Sequence, residues 1–123
     1  MRIFKSRWFQ RFARKEGIAD AALREAVARA EKGQIDAELG SEVIKQRIAR
    51  PGQGKSKGYR TIIFFRREIK AFFVYGFAKS QRANIDKVEQ DRFKEAAKIV
   101  LALTDEQLAA SLKRGDFVEV ENE

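Results

Sequence analysis

From Lys45 to Arg82 the basic residues are Lys45, Arg47, Arg50, Lys55, Lys57, Arg60, Arg66, Arg67, Lys70, Lys79 and Arg82, and the only acid among them is Glu68. A stretch of one sign suits a face for a polyanion such as a nucleic-acid backbone. The chain has no histidine and no cysteine. Serine–histidine catalysis, disulfides and thiolate metal sites are therefore excluded. Any catalysis must use Lys, Arg, Tyr, Asp or Glu, and no cofactor or metal is expected.

Ala49 to Ser56 reads ARPGQGKS, which fits the relaxed phosphate-loop pattern [AG]-x-x-x-x-G-K-[ST]. Such a loop works when a glycine turn leads from a strand into a helix N-terminus, whose N–H groups and dipole face the phosphates. A strand precedes Ala49, but Gly58 and the run TIIFF predict a second strand where the helix belongs. No apolar strand ends in an Asp suited to magnesium. Two readings of the lysines remain. One is a connection kept solvated by its charges; the other is part of the basic face.

The elements that must position these residues are legible in outline. Arg2 to Lys5 alternates and reads as a short edge strand. Ser6 caps a helix over roughly Arg7 to Lys15, which Gly17 stops. Asp20 caps a second helix that ends at Lys32 and Gly33. Val43 to Ala49, Tyr59 to Arg66 and Ala71 to Ala78 read as consecutive strands with short connections, hence an antiparallel or mostly antiparallel sheet. A helical period returns from about Asn84 to Leu103. Thr104 and Gln107 form a capping box for a last helix, and Phe117 to Val120 makes a short strand or an extended tail. The expected fold class is α+β: a small antiparallel sheet, with an N-terminal helix pair and C-terminal helices packed on one face. One domain is expected over 1–123, with 104–123 as its C-terminal extension.

Side-chain parity places the basic set. Lys45 and Arg47 share one side of their strand, Arg60 and Arg66 one side of the next, and Lys79 and Arg82 follow the third. The expectation is that they line the face the helices leave open, with the Lys55/Lys57 loop at its edge. Tyr75 and Phe77 share parity with Lys79 and are the better candidates among the strand aromatics to stack on bases, though core is the commoner place for each; the other strand aromatics, and Trp8, Phe9 and Phe12 in the first helix, read as core. The formal charge of +8, from 26 Lys and Arg against 18 Asp and Glu, points the same way. The N-terminus lacks a signal peptide's apolar segment, and no apolar run approaches a membrane span, so a cytoplasmic protein without membrane attachment is expected.

The run KQRIARPGQGKSKGYRTIIFFRR, followed by AFFVYGFAKSQRANI, resembles the RelE/ParE superfamily of bacterial toxins, in its HigB-like branch. The resemblance covers roughly Arg2 to Leu103. It implies a RelE-like fold and the toxin of a type II toxin–antitoxin pair. Such a toxin is a ribosome-dependent mRNA endoribonuclease that enters the A site, contacts ribosomal RNA and inhibits translation. It further implies metal-independent attack of a ribose 2′-OH on the scissile phosphate, and a cognate helix-turn-helix antitoxin. By position, Arg60, Lys79, Arg82, Lys45 and Arg47 are the catalytic candidates, with Arg60 and Lys79 foremost. Arg50, Lys55, Lys57, Arg66 and Arg67 are the RNA-binding candidates. Some RelE proteins carry a catalytic tyrosine near the C-terminal helix; no tyrosine follows Tyr75 here. Two other readings stay open: a ParE-like gyrase inhibitor that cuts no RNA, and a basic RNA-binding module without toxicity.

Overall fold

The computed structural model describes residues 1–50 and 54–121; of 54–56 it describes the backbone and not the side chains. The chain runs β1 (Arg2–Ser6), α1 (Arg7–Glu16), α2 (Asp20–Glu31), β2 (Ala37–Gly40), β3 (Val43–Arg50), β4 (Gly54–Arg66), β5 (Lys70–Ala78), α3 (Lys87–Leu101), α4 (Asp105–Arg114) and β6 (Phe117–Glu119). This is the expected α+β class. The strands form one sheet in the order β2-β3-β4-β5-β1-β6. β1 runs parallel to β5, and all other neighbours are antiparallel. β1 is therefore an inner strand, not the edge its short alternation suggested. β4 occupies the place where a phosphate loop would need a helix, so that reading fails on the described backbone; residues 51–53 of the loop lie outside it.

Local chemistry sets the helix ends. The Ser6 hydroxyl accepts the Phe9 N–H at 3.1 Å, and Gly17 closes α1 in the left-handed conformation at φ 71°. Asp20 is the first residue of α2 rather than its cap; the cap position is Ala19, which makes no side-chain bond. The Asp20 carboxylate instead accepts Lys5 Nζ at 2.9 Å. α3 starts at Lys87, behind an Asp86/Glu89 capping box, and Thr104/Gln107 forms the second box at α4.

The helices do not share one face. On one side, Phe9, Leu23, Val27 and Ala30 of α1 and α2 pack on Ile44, Ile48, Ile63 and Phe73. On the other, Ala97, Leu101 and Leu108 of α3 and α4 pack on Val43, Ile62, Phe64 and Phe72. The run Ile62–Ile63–Phe64–Phe65 is apolar at every position, so both faces of β4 need cover. What stays open is the end of the second face, beyond the reach of α3.

A β-bulge shapes that end. Ile63 pairs with Phe73 but Ile62 pairs with Tyr75, so Val74 is the extra residue. The bulge switches the parity of β5. Tyr75 and Phe77 are carried to the α3 side, and Gly76 to the α1 side. There a Cβ on Gly76 would lie 2.6 Å from Phe12 Cε2 and 3.2 Å from Phe9 Cε1. Gly76→Ala is expected to destabilise the fold by about 1–3 kcal/mol through overpacking, read as a lower midpoint in denaturant unfolding. An unchanged midpoint would mean that α1 can shift freely off β5.

Candidate active site

β3 and β4 bring Lys45, Arg47 and Arg60 together on the α3 side, with aromatic residues of β5 beside them. Their register makes two adjacent rows: Arg47–Arg60–Phe77 and Lys45–Ile62–Tyr75. Arg47 and Arg60 are directly opposite, an arrangement of like charges that costs a sheet stability. Lys45, Arg47, Arg60, Asp36, Ala37 and Gln46 line a cleft of ≈ 280 Å³, wide enough for a phosphodiester and open to solvent.

The charges in this cleft are unequally compensated. Asp36 holds Arg47: its Oδ2 accepts the Arg47 N–H at 2.7 Å and its Oδ1 accepts Nη2 at 3.1 Å. Arg60 has no such carboxylate partner among the described residues. Its Nη1 is buried and without a hydrogen bond among the described residues. A buried guanidinium N–H left unpaired costs roughly 1–3 kcal/mol or more. Lys45 Nζ donates to Asn84 Oδ1 at 3.0 Å. Burial, and then the neighbouring Arg60 charge, lowers the Lys45 pKa from its ordinary 10.5. The cleft thus holds an amine that gives up its proton more readily than a surface lysine, beside an unsatisfied double-donor fork.

Asn84 and Tyr75 organise the rim. Arg82 Nη1 donates to the Tyr75 hydroxyl at 3.0 Å, Arg82 Nε donates to the Asn84 carbonyl at 2.8 Å, and Arg82 pairs with Glu89 of α3. Its guanidinium lies 5.6 Å from the Phe77 ring centroid. Arg82 ties the turn after β5 to the start of α3, and through Asn84 it fixes where Lys45 points.

Burial opposes ionisation of Asp36, but the Arg47 N–H, the Arg47 guanidinium and Arg29 outweigh it, so its carboxyl titrates below its ordinary 3.8. The stabilisation is complete above about pH 4 and is lost as pH falls through the lowered value. Asp36→Asn is expected to flatten the acid limb of the stability curve and to tighten RNA binding, because Arg47 is released. Acid unfolding followed at several pH values checks the first effect, and oligonucleotide titration the second.

The family model described as the RelE toxin of the RelE / RelB toxin-antitoxin system matches residues 1–120. The chain belongs to the RelE toxin family. Searches of curated proteins and of solved structures find no match. No helix among the described residues is long and apolar enough to cross a membrane.

In this RelE-family toxin the remaining sequence candidates fall in three places. Lys79 is exposed, and its N–H donates to the Gly58 carbonyl at 3.1 Å, which continues the β4–β5 register one row beyond Arg60 on the same face. Arg50 and Lys57 lie at this end of the sheet but toward its other face; the Arg50 guanidinium is 5.6 Å from the Tyr59 ring, which packs under α1. Lys55 is in β4 with its side chain outside the described part. Arg66 and Arg67 stand apart. Arg66 pairs with Glu42 and donates to the Leu101 carbonyl at 3.0 Å; Arg67 donates to the Glu31 carbonyl at 2.7 Å. Six residues along the strand from Arg60 is ~20 Å, and there these two arginines fasten the C-terminal ends of α3 and α2.

The sequence does not single out Asp36 and Asn84 as site residues; Tyr75, a candidate for either stacking or core, packs against the core with its hydroxyl held by Arg82. Asn84 was visible as part of the quoted KSQRANI stretch. Asp36 carried no signal, since only the β2–β3 pairing brings it to Arg47.

Proposed function

We propose that this toxin is a ribosome-dependent mRNA endoribonuclease of the HigB-like branch, inhibiting translation by metal-independent cleavage. The observation that carries this reading is the buried Arg60 Nη1, without a hydrogen bond among the described residues, beside Lys45, an amine of lowered pKa. A tolerated like-charge cluster with an open donor fits a phosphate that arrives only with substrate.

The register supports an assignment of roles. Lys45 on β3, Arg60 on β4 and Lys79 after β5 fall on one diagonal across three strands. In this mechanism neutral Lys45 Nζ takes the proton of the ribose 2′-OH. The 2′-oxygen bonds to phosphorus, and the bond from phosphorus to the 5′-oxygen breaks. Arg60, with Arg47, holds the non-bridging oxygens as charge builds on them. The Lys79 ammonium protonates the departing 5′-oxygen. The products are a 2′,3′-cyclic phosphate and a 5′-hydroxyl.

The same reading places the protein in the cytoplasm with a helix-turn-helix antitoxin as partner, and treats the stretch after Thr104 as part of one domain, since β6 hydrogen-bonds to β1. Incubation with translating ribosomes tests the chemistry. Cyclic phosphate on the upstream fragment supports it. A 3′-hydroxyl there, or no cleavage on ribosomes, removes it.

A further inference from the structure

The first helix carries an exposed indole and exposed cations that the cleft does not use. Trp8, Arg11, Phe12 and Lys15 recur at helical spacing and line a shallow groove of ≈ 230 Å³ on the outer face of α1. Trp8 was expected in the core. It is instead 40% exposed, whereas its neighbour Phe9 is fully buried. β1 pairs with β5 only as far as Phe73, so α1 lies along the β5 edge beyond it, and Trp8 reaches around that edge. Its ring is 4.6 Å from Tyr75 and 5.4 Å from Phe12. Tyr75 is the residue whose hydroxyl Arg82 holds at the rim of the cleft. The aromatic surface of α1 is therefore continuous with the phosphate-binding cluster.

Its charge matches a polyanion. α1 reads RWFQRFARKE, with four cations and one acid. Arg7 is engaged by Asp116 and the end of α4, but Arg11 and Lys15 are exposed and make no ion pair among the described residues. An exposed indole flanked by unpaired cations is the arrangement that single-stranded nucleic acid uses, with bases on rings and phosphates on Lys and Arg.

We propose that the Trp8–Phe12 face of α1, flanked by Arg11 and Lys15, is a subsite for an unpaired base of single-stranded RNA next to the cleft. The subsite rests on the nuclease reading above and extends it, by naming where the strand runs once it leaves the scissile phosphate.

The chain has one tryptophan, so its emission reports this face alone. The probe is a short 2′-O-methyl oligoribonucleotide, which cannot be cleaved by 2′-OH attack. Saturable quenching of Trp8 by the single strand, and much less by the duplex, is expected. By anisotropy of the labelled probe, Trp8→Ala weakens binding about 5- to 150-fold, the factor that stacking of one base supplies. Trp8→Phe restores most of it. The Arg11→Ala/Lys15→Ala double variant lowers the slope of log affinity against log salt by about 1.4. Because Trp8 is partly exposed, these variants should fold, and circular dichroism verifies it. Four results would overturn the subsite: no probe binding, binding without a change in Trp8 emission, full affinity in Trp8→Ala, or equal quenching by poly-glutamate, which would make this a peptide-docking face. Cellular mRNA cleavage is scored separately. Cuts with an unresponsive Trp8 remove only the subsite. Quenching without cuts removes the nuclease and keeps a single-strand-binding face.

Discussion

Arg60→Met is expected to cut mRNA cleavage by about 10²–10³-fold while leaving the protein as stable as before, or more so. The two halves of this result come from the same atom. Arg60 Nη1 is buried and makes no hydrogen bond among the described residues, and Arg60 faces Arg47 across the β3–β4 pair. Both observations set the guanidinium against folding: a buried donor with no partner among the described residues, and a like-charge contact. Methionine is of similar length, fills the same space and removes both penalties. Thermal unfolding should therefore give an unchanged or raised midpoint. With a phosphate bound, the same donor gains the partner it lacks and strengthens its hold as charge develops on the oxygens. An arginine kept for structure would behave in the opposite way, losing stability on substitution and affecting activity only in proportion. A destabilised Arg60→Met protein with near-normal cleavage would contradict the assignment.

The second large effect concerns Lys45. Lys45→Arg keeps the positive charge in the cleft and removes the amine whose pKa is lowered there. If Lys45 takes the 2′-OH proton, the loss should be about 10²–10⁴-fold, nearly the same as for Lys45→Met. If Lys45 only attracts phosphate, arginine should serve as well or better. The pH dependence separates the two roles further. Activity of the native toxin should rise with pH up to the lowered Lys45 pKa, the basic limb of an acid–base pair. Burial is the larger cause of that lowering and Arg60 the second, so the residual activity of Arg60→Met should have this limb moved to higher pH. Stability carries a linked signature. Between the lowered value and 10.5 the unfolded chain holds more protons than the native one, so stability rises with pH through that window. Lys45→Met abolishes the rise.

Features that depend on neighbours in sequence were legible before the structure. The Ser6 cap, the Gly17 stop and the Thr104/Gln107 box are each complete within a few residues, and each is where the pattern put it. The three consecutive strands announce themselves by alternation and β-branched residues. Non-local pairing was not legible. β1 is an inner strand because it inserts between β5 and β6, a choice made by partners far away in sequence. β2, the short AELG strand, has little alternation to read, and its partner β3 defines it. The placement of helices on both faces follows from the unbroken apolar run in β4, a pattern visible in the sequence that speaks for a strand without saying how many faces are covered.

The site was legible to the same extent. Lys45, Arg47 and Arg60 follow from simple alternation on adjacent strands, and they do converge. Arg66 has the same parity as Arg60, but a shared face is not a shared place; the length of β4 separates them. Tyr75 and Phe77 reach the cleft side only because the bulge at Val74 breaks the alternation of β5. Asn84 and Asp36 arrive through a turn and a strand pairing that no periodicity encodes.

The central claim is that this toxin cuts mRNA during translation and that Arg60 is part of the cutting site. Primer extension on cellular mRNA after brief induction, beside the Arg60→Met variant expressed to the same level, tests it most directly. The account predicts cuts within translated frames that disappear in the variant while its fold is retained. Growth arrest with intact mRNA, or cuts that persist in Arg60→Met, would contradict it.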